Sequence, residues 1–223
     1  MEDLTRIATY SFELFGMRLT VNTETVFNTW LIMVALFALS LIATRRLQKL
    51  PNPAQRLAEL YVGFMDKLTR ETLETTSRGY VPLVATMFVF LLLCNWLGII
   101  PGLSEPTKDL NTPLSLGIMG FFLTHTAAIR EKGIVAYLKD YCQPFFIMAP
   151  LNVVGELAKV VSISFRLFGN ILGGAIIIAV VSHMVYSLVL PPFLYVFFGL
   201  FVGTIQAFVF TMLTITYISV AIK

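Results

Sequence analysis

The sequence predicts an all-α integral membrane protein with about five membrane helices and one amphipathic surface helix. Hydrophobic residues make up 57% of the 223 residues and charged residues only 13%, which is too little charge to cover a soluble domain. The apolar residues are gathered in long runs, and most charges lie between the runs. Two of these runs are far longer than a bilayer is thick, so the last two helices are predicted to be long and strongly tilted.

The first part of the chain contains three apolar runs of about 20 residues, the length that crosses a bilayer. We expect a short external N-terminal segment at 1–25, followed by spans at 26–44, 80–100 and 113–129. Residues 52–74 instead place charges between apolar positions at helical spacing. That pattern predicts an amphipathic helix that lies on the membrane surface.

The remainder of the chain is predicted to form two long helices. Residues 145–190 are nearly all apolar and would make roughly 65–70 Å of helix, about twice a bilayer core. Two interpretations are open: two short spans that break near Gly173-Gly174, or one strongly tilted helix. Pro191-Pro192 is expected to turn the chain before a final helix at 193–222. All 223 residues are predicted to form a single membrane domain.

The basic residues predict the orientation of the chain, because cytoplasmic loops are enriched in Lys and Arg. Three of the sixteen lie on the predicted outer side and two lie within the membrane. The other eleven fall after the first span, after the third span, or at the chain end: Arg45, Arg46, Lys49, Arg56, Lys67, Arg70, Arg78, Arg130, Lys132, Lys139 and Lys223. We therefore expect an external N-terminus and a cytoplasmic C-terminus, which favours the single tilted helix.

Composition also excludes several classes of protein. The formal net charge of +3 is too small to indicate nucleic-acid binding. Cys94 and Cys142 are far apart, so they are interpreted as packing residues, and neither a metal site nor a cofactor is expected. Acidic residues in the first 25 positions argue against a cleavable signal peptide.

Arg166 is the most informative residue, since an arginine at membrane depth is costly and cannot lose its proton. It is a permanent cation that needs an anionic or polar partner. On a helical projection most polar and small side chains of this segment fall within about 80° of Arg166; they are Asn152, Glu156, Lys159, Ser162, Asn170, Gly173 and Gly174. Such residues let another helix approach closely, although any one polar residue alone more often holds helices together.

Other polar residues have competing interpretations. Glu156 is either an ion carrier or a partner for Lys159 three positions later, and Lys159 itself has the alternative of snorkelling to the interface. In the last helix Gln206 and Tyr217 are eleven residues apart, and we expect Gln206 to be the cross-helix partner of Arg166. His125 and His183 are interpreted as helix-contact residues in preference to metal ligands or proton relays, although histidine titrates near neutral pH.

Four motifs together resemble one known family. Residues 162–170 (SISFRLFGN) are similar to the signature of ATP synthase subunit a, the F-type subunit 6 family. The segment 206–217 resembles the C-terminal helix of that family, and 95–101 and 106–112 are similar to its earlier motifs. The resemblance covers the chain from about Pro53 to the end, and it is closer to bacterial than to mitochondrial members.

The resemblance implies a stator subunit that is not an enzyme on its own, in a rotary ATP synthase of the bacterial cytoplasmic membrane. Two long tilted helices would wrap a ring of c subunits, with Arg166 facing the ring carboxylates between two ion half-channels. The candidate half-channel residues are Asn170, Gln206, Ser162, Glu156, Asn152, Asp109, Lys159, His183 and Tyr217. The implied partners are the c-ring, b-type peripheral stalk subunits, the F1 ATPase head and membrane lipid.

The chain departs from the family pattern at three positions. Ala175 and Gly199 stand where many relatives carry titratable residues, and Asn152 stands where many carry an acid, with Glu156 one turn later. The outer half-channel is therefore expected to lack its usual titratable pair. Two other functions were weighed, a secondary transporter, which usually shows repeated halves, and a structural subunit of a respiratory complex. The sequence leaves open whether the ion is H⁺ or Na⁺, and how large the ring is.

Overall fold

The computed structural model describes residues 9–14, 17–45, 52–73, 78–100, 102–141, 148–184 and 190–222. In chain order the elements are β1 (Thr9–Leu14), β2 (Met17–Asn22), α1 (Thr23–Thr44), α2 (Pro53–Leu73), α3 (Val81–Trp96), α4 (Asn111–Lys132), α5 (Ile134–Tyr141), α6 (Met148–Met184) and α7 (Leu190–Ile222). Arg46, Lys49, Cys142 and Lys223, which entered the predictions above, lie outside the described residues.

The predicted fold class is confirmed. Five helices in the described part of the chain are long and apolar enough to cross a membrane: α1, α3 with its 3₁₀ extension to Ile99, α4, α6 and α7. The addition is the antiparallel hairpin β1–β2, in which Thr9 lies opposite Asn22. Both strands alternate apolar and polar residues with a period of two, so this hairpin was visible in the sequence.

The two long helices are continuous. Helix α6 has 37 residues and passes through Gly173-Gly174 without a break, so its length is about 55 Å. Helix α7 has 33 residues and begins at Leu190, with Pro191 and Pro192 inside its first turn. Proline is tolerated there because the first amides of a helix have no acceptor within it. Both helices exceed the roughly 30 Å core of a bilayer, so neither fits upright.

Helix α7 lies at the centre of the packing. Its Ala207 and Phe210 meet Met87 and Leu91 of α3 together with Leu167 of α6 in one buried cluster. A second cluster joins Ile215 and Ile218 of α7 to Leu73 of α2, Val84 of α3 and Ala127 of α4. A third cluster holds the buried Cys94 beside Ile32 and Leu97, in agreement with the packing role predicted for this cysteine. Burial of these side chains stabilises the bundle internally.

A π-helical segment interrupts α7 at Phe197–Val202. The buried Gly199 lies within it, and a Cβ atom added there would come within 2.6 Å of Ile99 Cγ1. A Cβ atom added at Gly203 would lie 2.9 Å from Asn95 Cβ. Glycine at these positions lets α7 approach the end of α3 more closely than any side chain would permit.

A buried polar network joins this end of α3 to α7 and to the loop before α4. Asn95 is fully buried; its Nδ2 donates to the Gly203 carbonyl at 2.9 Å, and its Oδ1 accepts from Thr107 Oγ1 at 3.0 Å. Trp96 Nε1 donates to Thr204 Oγ1 at 3.0 Å. The nitrogen and the oxygen of the Asn95 side-chain amide thus each have a hydrogen-bond partner, as a buried polar side chain requires.

The same loop is tied to the start of α1. Asn28 Nδ2 donates to the Ser104 carbonyl at 2.9 Å, and Thr25 Oγ1 donates to Asp109 Oδ2 at 3.3 Å. The side chain of Asn22 caps α1 by accepting from the amide of Glu24 at 3.1 Å. These bonds attach α1 at its N-terminal end, although most of its apolar surface is exposed.

Helix α2 has one face against the bundle and one face free. Tyr61 donates its hydroxyl to the Ala85 carbonyl at 2.6 Å, and burial raises the pKa of Tyr61 to about 12, so the donor stays protonated. Ser219 Oγ of α7 donates to the Thr72 carbonyl at 2.9 Å. On the free face Leu57 and Leu60 are exposed, which fits the predicted surface helix because this apolar stripe needs a non-aqueous contact.

We predict that Asn95→Leu lowers the stability of the bundle by about 1–3 kcal/mol, because Thr107 then lacks its buried partner. The control is Thr86→Val in the same helix, since the exposed Thr86 bonds only the Pro82 carbonyl of its own helix. Thermal unfolding of the purified protein measures both variants. Equal midpoints for the two would contradict the structural role of Asn95.

Candidate functional site

Helices α6 and α7 are antiparallel and meet in one register. Asn170 Nδ2 donates to Gln206 Oε1 at 2.7 Å. Eleven residues away on each helix, Lys159 Nζ lies 5.3 Å from the centre of the Tyr217 ring. Eleven residues make about three helical turns, so both pairs lie along the same seam. The seam therefore carries one amide pair and one cation–aromatic pair.

Arg166 lies on α6 between these two pairs and is exposed. Among the described residues it has no hydrogen bond and no ion pair. The prediction that Gln206 would be its cross-helix partner is wrong, because the Gln206 oxygen bonds Asn170 and the Gln206 amide nitrogen is buried without a partner in the described part of the chain. Gln206 is only 4% exposed and lies inside the seam, whereas Arg166 is exposed.

The helix face around Arg166 is open. Ser162, Phe165 and Gly169 are all exposed. A Cβ atom added at Gly169 or at Gly173 would meet no heavy atom within 4 Å. This part of the predicted stripe thus lies on an uncovered side of α6, where another helix can approach closely. Lys159, Asn170 and Gly174 of the same stripe instead contact α7.

On the seam side of α6 the charges are paired. Lys159 Nζ lies 2.5 Å from Glu156 Oε1, and both side chains are partly exposed. This is the ion pair anticipated at a spacing of three residues. Lys159 therefore lies between a carboxylate and an aromatic face.

A cavity of about 350 Å³ adjoins this ion pair. It lies among α4, α5, α6 and the end of α7, and its lining includes seven polar side chains: Thr124, His125, Lys132, Tyr137, Asn152, Glu156 and Lys159. Polar walls and this volume suit a cluster of water molecules.

A second cavity of about 20 Å³ continues from the first. The two share Thr124, Glu156 and Lys159, and the second extends to Ile163 and Tyr217. Its volume is enough for about one water molecule. The space formed by the two cavities narrows along α6 and ends at Ile163, about one helical turn before Arg166.

His125 stands between two aromatic rings at the wall of the larger cavity. Its ring centre lies 3.8 Å from that of Phe121 and 5.8 Å from that of Tyr137. Its Nδ1 is buried without a hydrogen-bond partner among the described residues. The prediction of a satisfied helix-contact residue is therefore only half right, because the ring packs well but its polar atoms are not paired.

The opposite, N-terminal end of α7 is filled by apolar side chains. A Cβ atom added at Gly174 would lie 2.8 Å from the Phe198 ring, and Gly199 is closed by Ile99. Ala175 and Gly199, the positions for which the resemblance implies titratable residues in many relatives, are thus at or beside contacts filled by apolar side chains.

The remaining candidates lie farther away. Asp109 is bound by Thr25 and by the amide of Asn111 at 3.1 Å. His183 is exposed in the last turn of α6, about 25 Å along the helix from Arg166. No group of three or more His, Cys, Asp or Glu side chains within the described ranges is placed to hold a metal ion.

The fold and this seam define a multi-pass helical membrane protein with an arginine on an open helix face that has no partner among the described residues. Comparison with known proteins places that class more narrowly: the ATP synthase A chain family matches residues 26–219, and the chain belongs to this family. The resemblance found in the sequence motifs is thereby confirmed.

Three curated relatives support the assignment over nearly their whole length. ATP synthase subunit a of Moorella thermoacetica is 42% identical over 196 residues, which is 88% of this chain and 89% of that protein. ATP synthase subunit a 3 of Pelobacter propionicus is 37% identical over 88% of this chain and 86% of its own. ATP synthase subunit a 2 of Bradyrhizobium sp. is 34% identical over 94% of this chain and 93% of its own length. All three are bacterial, and all are named as subunits.

Sequence reasoning missed two features of the site. The Lys159–Tyr217 contact was signalled by a repeated spacing, since Lys159 and Asn170 are as far apart as Tyr217 and Gln206. The close packing of α4 on α6 was not considered. There Ser164 Oγ donates to the Pro113 carbonyl at 3.1 Å, and a Cβ atom added at Gly117 would lie 2.4 Å from Ser164 Oγ. A glycine facing a small hydroxyl residue was the available signal.

Proposed function

We propose that this chain is the membrane stator subunit of a rotary F-type ATP synthase, and that it carries ions between the two sides of the membrane and a rotating c-ring. Membership of the ATP synthase A chain family supports this function, and so do the names of the relatives. Because those proteins are named as subunits, catalysis of ATP synthesis is assigned to other chains of the complex.

The observation that carries the proposal is the unpaired Arg166. A charged side chain at the centre of a membrane helix costs about 3 kcal/mol even on insertion scales, so a charge at this depth indicates a functional role. Among the described membrane helices the nearest carboxylate along α6 is Glu156, which Lys159 already neutralises. The counter-ion of Arg166 therefore comes from another chain, and a ring of mid-membrane carboxylates provides one after another.

Arg166 then has two physical effects on a passing carboxylate. An opposite charge nearby favours the ionised form of a carboxyl group, so the ring site releases its ion as it reaches the arginine. The fixed positive charge also repels cations, which separates the two half-channels. The membrane potential supplies about 2.3 kcal/mol per charge per 100 mV, which biases the direction of rotation.

The cytoplasmic half-channel is assigned to the two connected cavities. They run beside Glu156 and Lys159 and reach Ile163, so hydrated space approaches Arg166 from one side. Asn152 lines the larger cavity and Tyr217 the smaller one. Glu156 lines both cavities, so it is the carboxylate that an ion meets as it passes from one cavity to the other.

The outer half-channel is assigned to the polar groups beyond Arg166 along α6. Asn170 and Gln206 form its inner end, and the unpaired amide of Gln206 needs a water molecule or an ion-carrying group as its acceptor. Ser162 contributes to the open face toward the ring. Asp109 lies at the outer loop, whereas His183 has no contact in the described structure that links it to this route.

The proposal places the chain in a bacterial cytoplasmic membrane, with its N-terminus outside and its C-terminus in the cytoplasm, as the distribution of basic residues indicates. Its partners are the c-ring on the open face of α6, b-type peripheral stalk subunits, and through them the F1 head. A secondary transporter is disfavoured because no repeated halves occur in the described fold.

Replacement of Arg166 tests the proposal most directly. Arg166→Ala removes the charge, so ion-driven ATP synthesis is expected to stop and passive ion leak to rise. Arg166→Lys is expected to fail nearly as badly, because desolvation at membrane depth favours the neutral amine and lysine lacks the planar fork that meets a carboxylate. ATP synthesis is measured in inverted membrane vesicles after assembly has been verified.

The matched control is Arg130→Lys, which makes the same replacement at an exposed arginine in the last turn of α4. It is expected to retain the wild-type rate of synthesis. An assembled Arg166→Lys complex with substantial synthesis would show that a switchable point charge suffices, and the proposed role of Arg166 would fail.

Glu156→Gln tests the cytoplasmic cavity. The change keeps the shape of the side chain but removes the charge that faces Lys159, so ATP-driven pumping is expected to slow by about tenfold without loss of assembly. Glu131→Gln, at an exposed carboxylate near the end of α4, serves as the control. If both variants pump like the wild type, Glu156 is only an ion-pair partner.

Cysteine labelling tests the orientation. In a chain without Cys94 and Cys142, Lys223→Cys is expected to react with an impermeant thiol reagent only from the cytoplasmic side. Glu24→Cys, at the start of α1, is expected to react only from the outside. Labelling of position 223 from the outside alone would contradict the proposed topology.

A further inference from the structure

The larger cavity contains a titratable ring that the proposed function leaves unused. His125 lines it together with Glu156 and Lys159. A neutral imidazole offers one donor and one acceptor, yet neither ring nitrogen has a hydrogen bond to another described residue. The adjacent cavity of about 350 Å³ supplies the missing partner as water.

We propose that His125 is a proton-relay residue of the cytoplasmic half-channel, acting between Glu156 and the water at the mouth of the cavity. This inference rests on the proposed function and deepens it. It assigns the transported ion as H⁺, because imidazole passes protons readily, whereas hard alkali cations take oxygen ligands.

The relay is a balanced exchange of protons. A protonated Glu156 gives its proton through cavity water to one nitrogen of the His125 ring. The resulting imidazolium releases a proton from its other nitrogen to water on the cytoplasmic side. Glu156 returns to the carboxylate that pairs with Lys159 at 2.5 Å, and the ring returns to its neutral form. No proton is consumed, and the sequence runs in reverse during ATP-driven pumping.

The charges around the ring keep the imidazolium short-lived. Ionised Glu156 favours it, whereas Lys132 and Lys159 oppose it. Tyr137 of α5 and Tyr217 of α7 are the other titratable groups of the two cavities. The ring carries a positive charge most easily just after Glu156 has released its proton, which links the two transfers in order.

The aromatic contacts hold the ring in a fixed place. Phe121 lies one helical turn away on α4, with ring centres 3.8 Å apart, and Tyr137 closes the other side at 5.8 Å. A relay group has to stay within reach of its donor and acceptor, so this packing supports proton transfer. The same contacts also fit a His125 that only fills space, so the test has to distinguish this packing role from proton transfer.

The test measures passive H⁺ conduction through the membrane sector, after removal of the soluble head, over a range of cytoplasmic-side pH. His125→Phe keeps a ring between Phe121 and Tyr137 but cannot titrate, and conduction is expected to fall by about tenfold or more. His125→Gln is expected to lose the inflection that a titrating imidazole gives to the pH profile. Imidazole added to the cytoplasmic-side buffer is expected to restore conduction in His125→Ala.

Thr126→Val is the control, since the exposed Thr126 hydroxyl bonds only carbonyls of its own helix; it is expected to conduct like the wild type. Wild-type conduction with an unchanged pH profile in His125→Phe and His125→Gln would overturn the relay. Arg166→Ala in the same preparation separates the two proposals. If only Arg166→Ala abolishes ATP synthesis, the stator function stands and the relay falls; if Arg166→Ala synthesises ATP, the proposed function itself fails.

Discussion

The antiparallel register of α6 and α7 is the constraint on which the rest of the structure depends. The Asn170–Gln206 and Lys159–Tyr217 contacts fix it at two points three turns apart. Lys159 and Asn170 thereby face α7, whereas Arg166, which lies within about 40° of both in helical phase, stays exposed beside this seam. A helix this long also needs support along its length, and Ser164 against Pro113 supplies it from α4. Sliding one helix by a single turn would separate both pairs and bury or misdirect the arginine.

Much of the fold followed from the sequence because a membrane leaves few choices. Every backbone polar group in the hydrocarbon has to be satisfied internally, so apolar runs of sufficient length become helices. Lengths alone therefore predicted α1, α3, α4 and the long α6 and α7. The sequence predicts that the last helix begins at 193, after a turn at the proline pair, whereas α7 begins at Leu190. Prolines fit the first turn of a helix, so the pair does not mark the boundary. The hairpin β1–β2 was missed because its period-two pattern lies in a short polar segment that carries little weight beside the spans.

The candidate site was only partly predictable for a different reason. The face of a helix on which a residue lies follows from its phase, so the sequence predicts that Arg166 and the polar residues near it share one stripe. Which of them meets the neighbouring helix depends on register, and a sequence read without its partner helix does not contain that information. Hence Gln206 was matched to Arg166 and not to Asn170. The cavities beside Glu156 were unpredictable for the same reason, since α4, α5 and α6 together enclose them.

The two sides of Arg166 differ in how they are built. On one side Glu156, Lys159 and His125 line a polar cavity of about 350 Å³. On the other side Phe198 fills the space at Gly174, and Ile99 fills the space at Gly199. A titratable side chain at Gly199 would therefore need the removal of Ile99 as well as the substitution itself, so the absence of the usual pair is built into the packing. The polar side chains nearest to that side, Asn170 and Gln206, are neutral amides. The charged and titratable side chains are thus concentrated on the side of the cavity, and Arg166 lies between this polar region and the apolar contacts of Phe198 and Ile99.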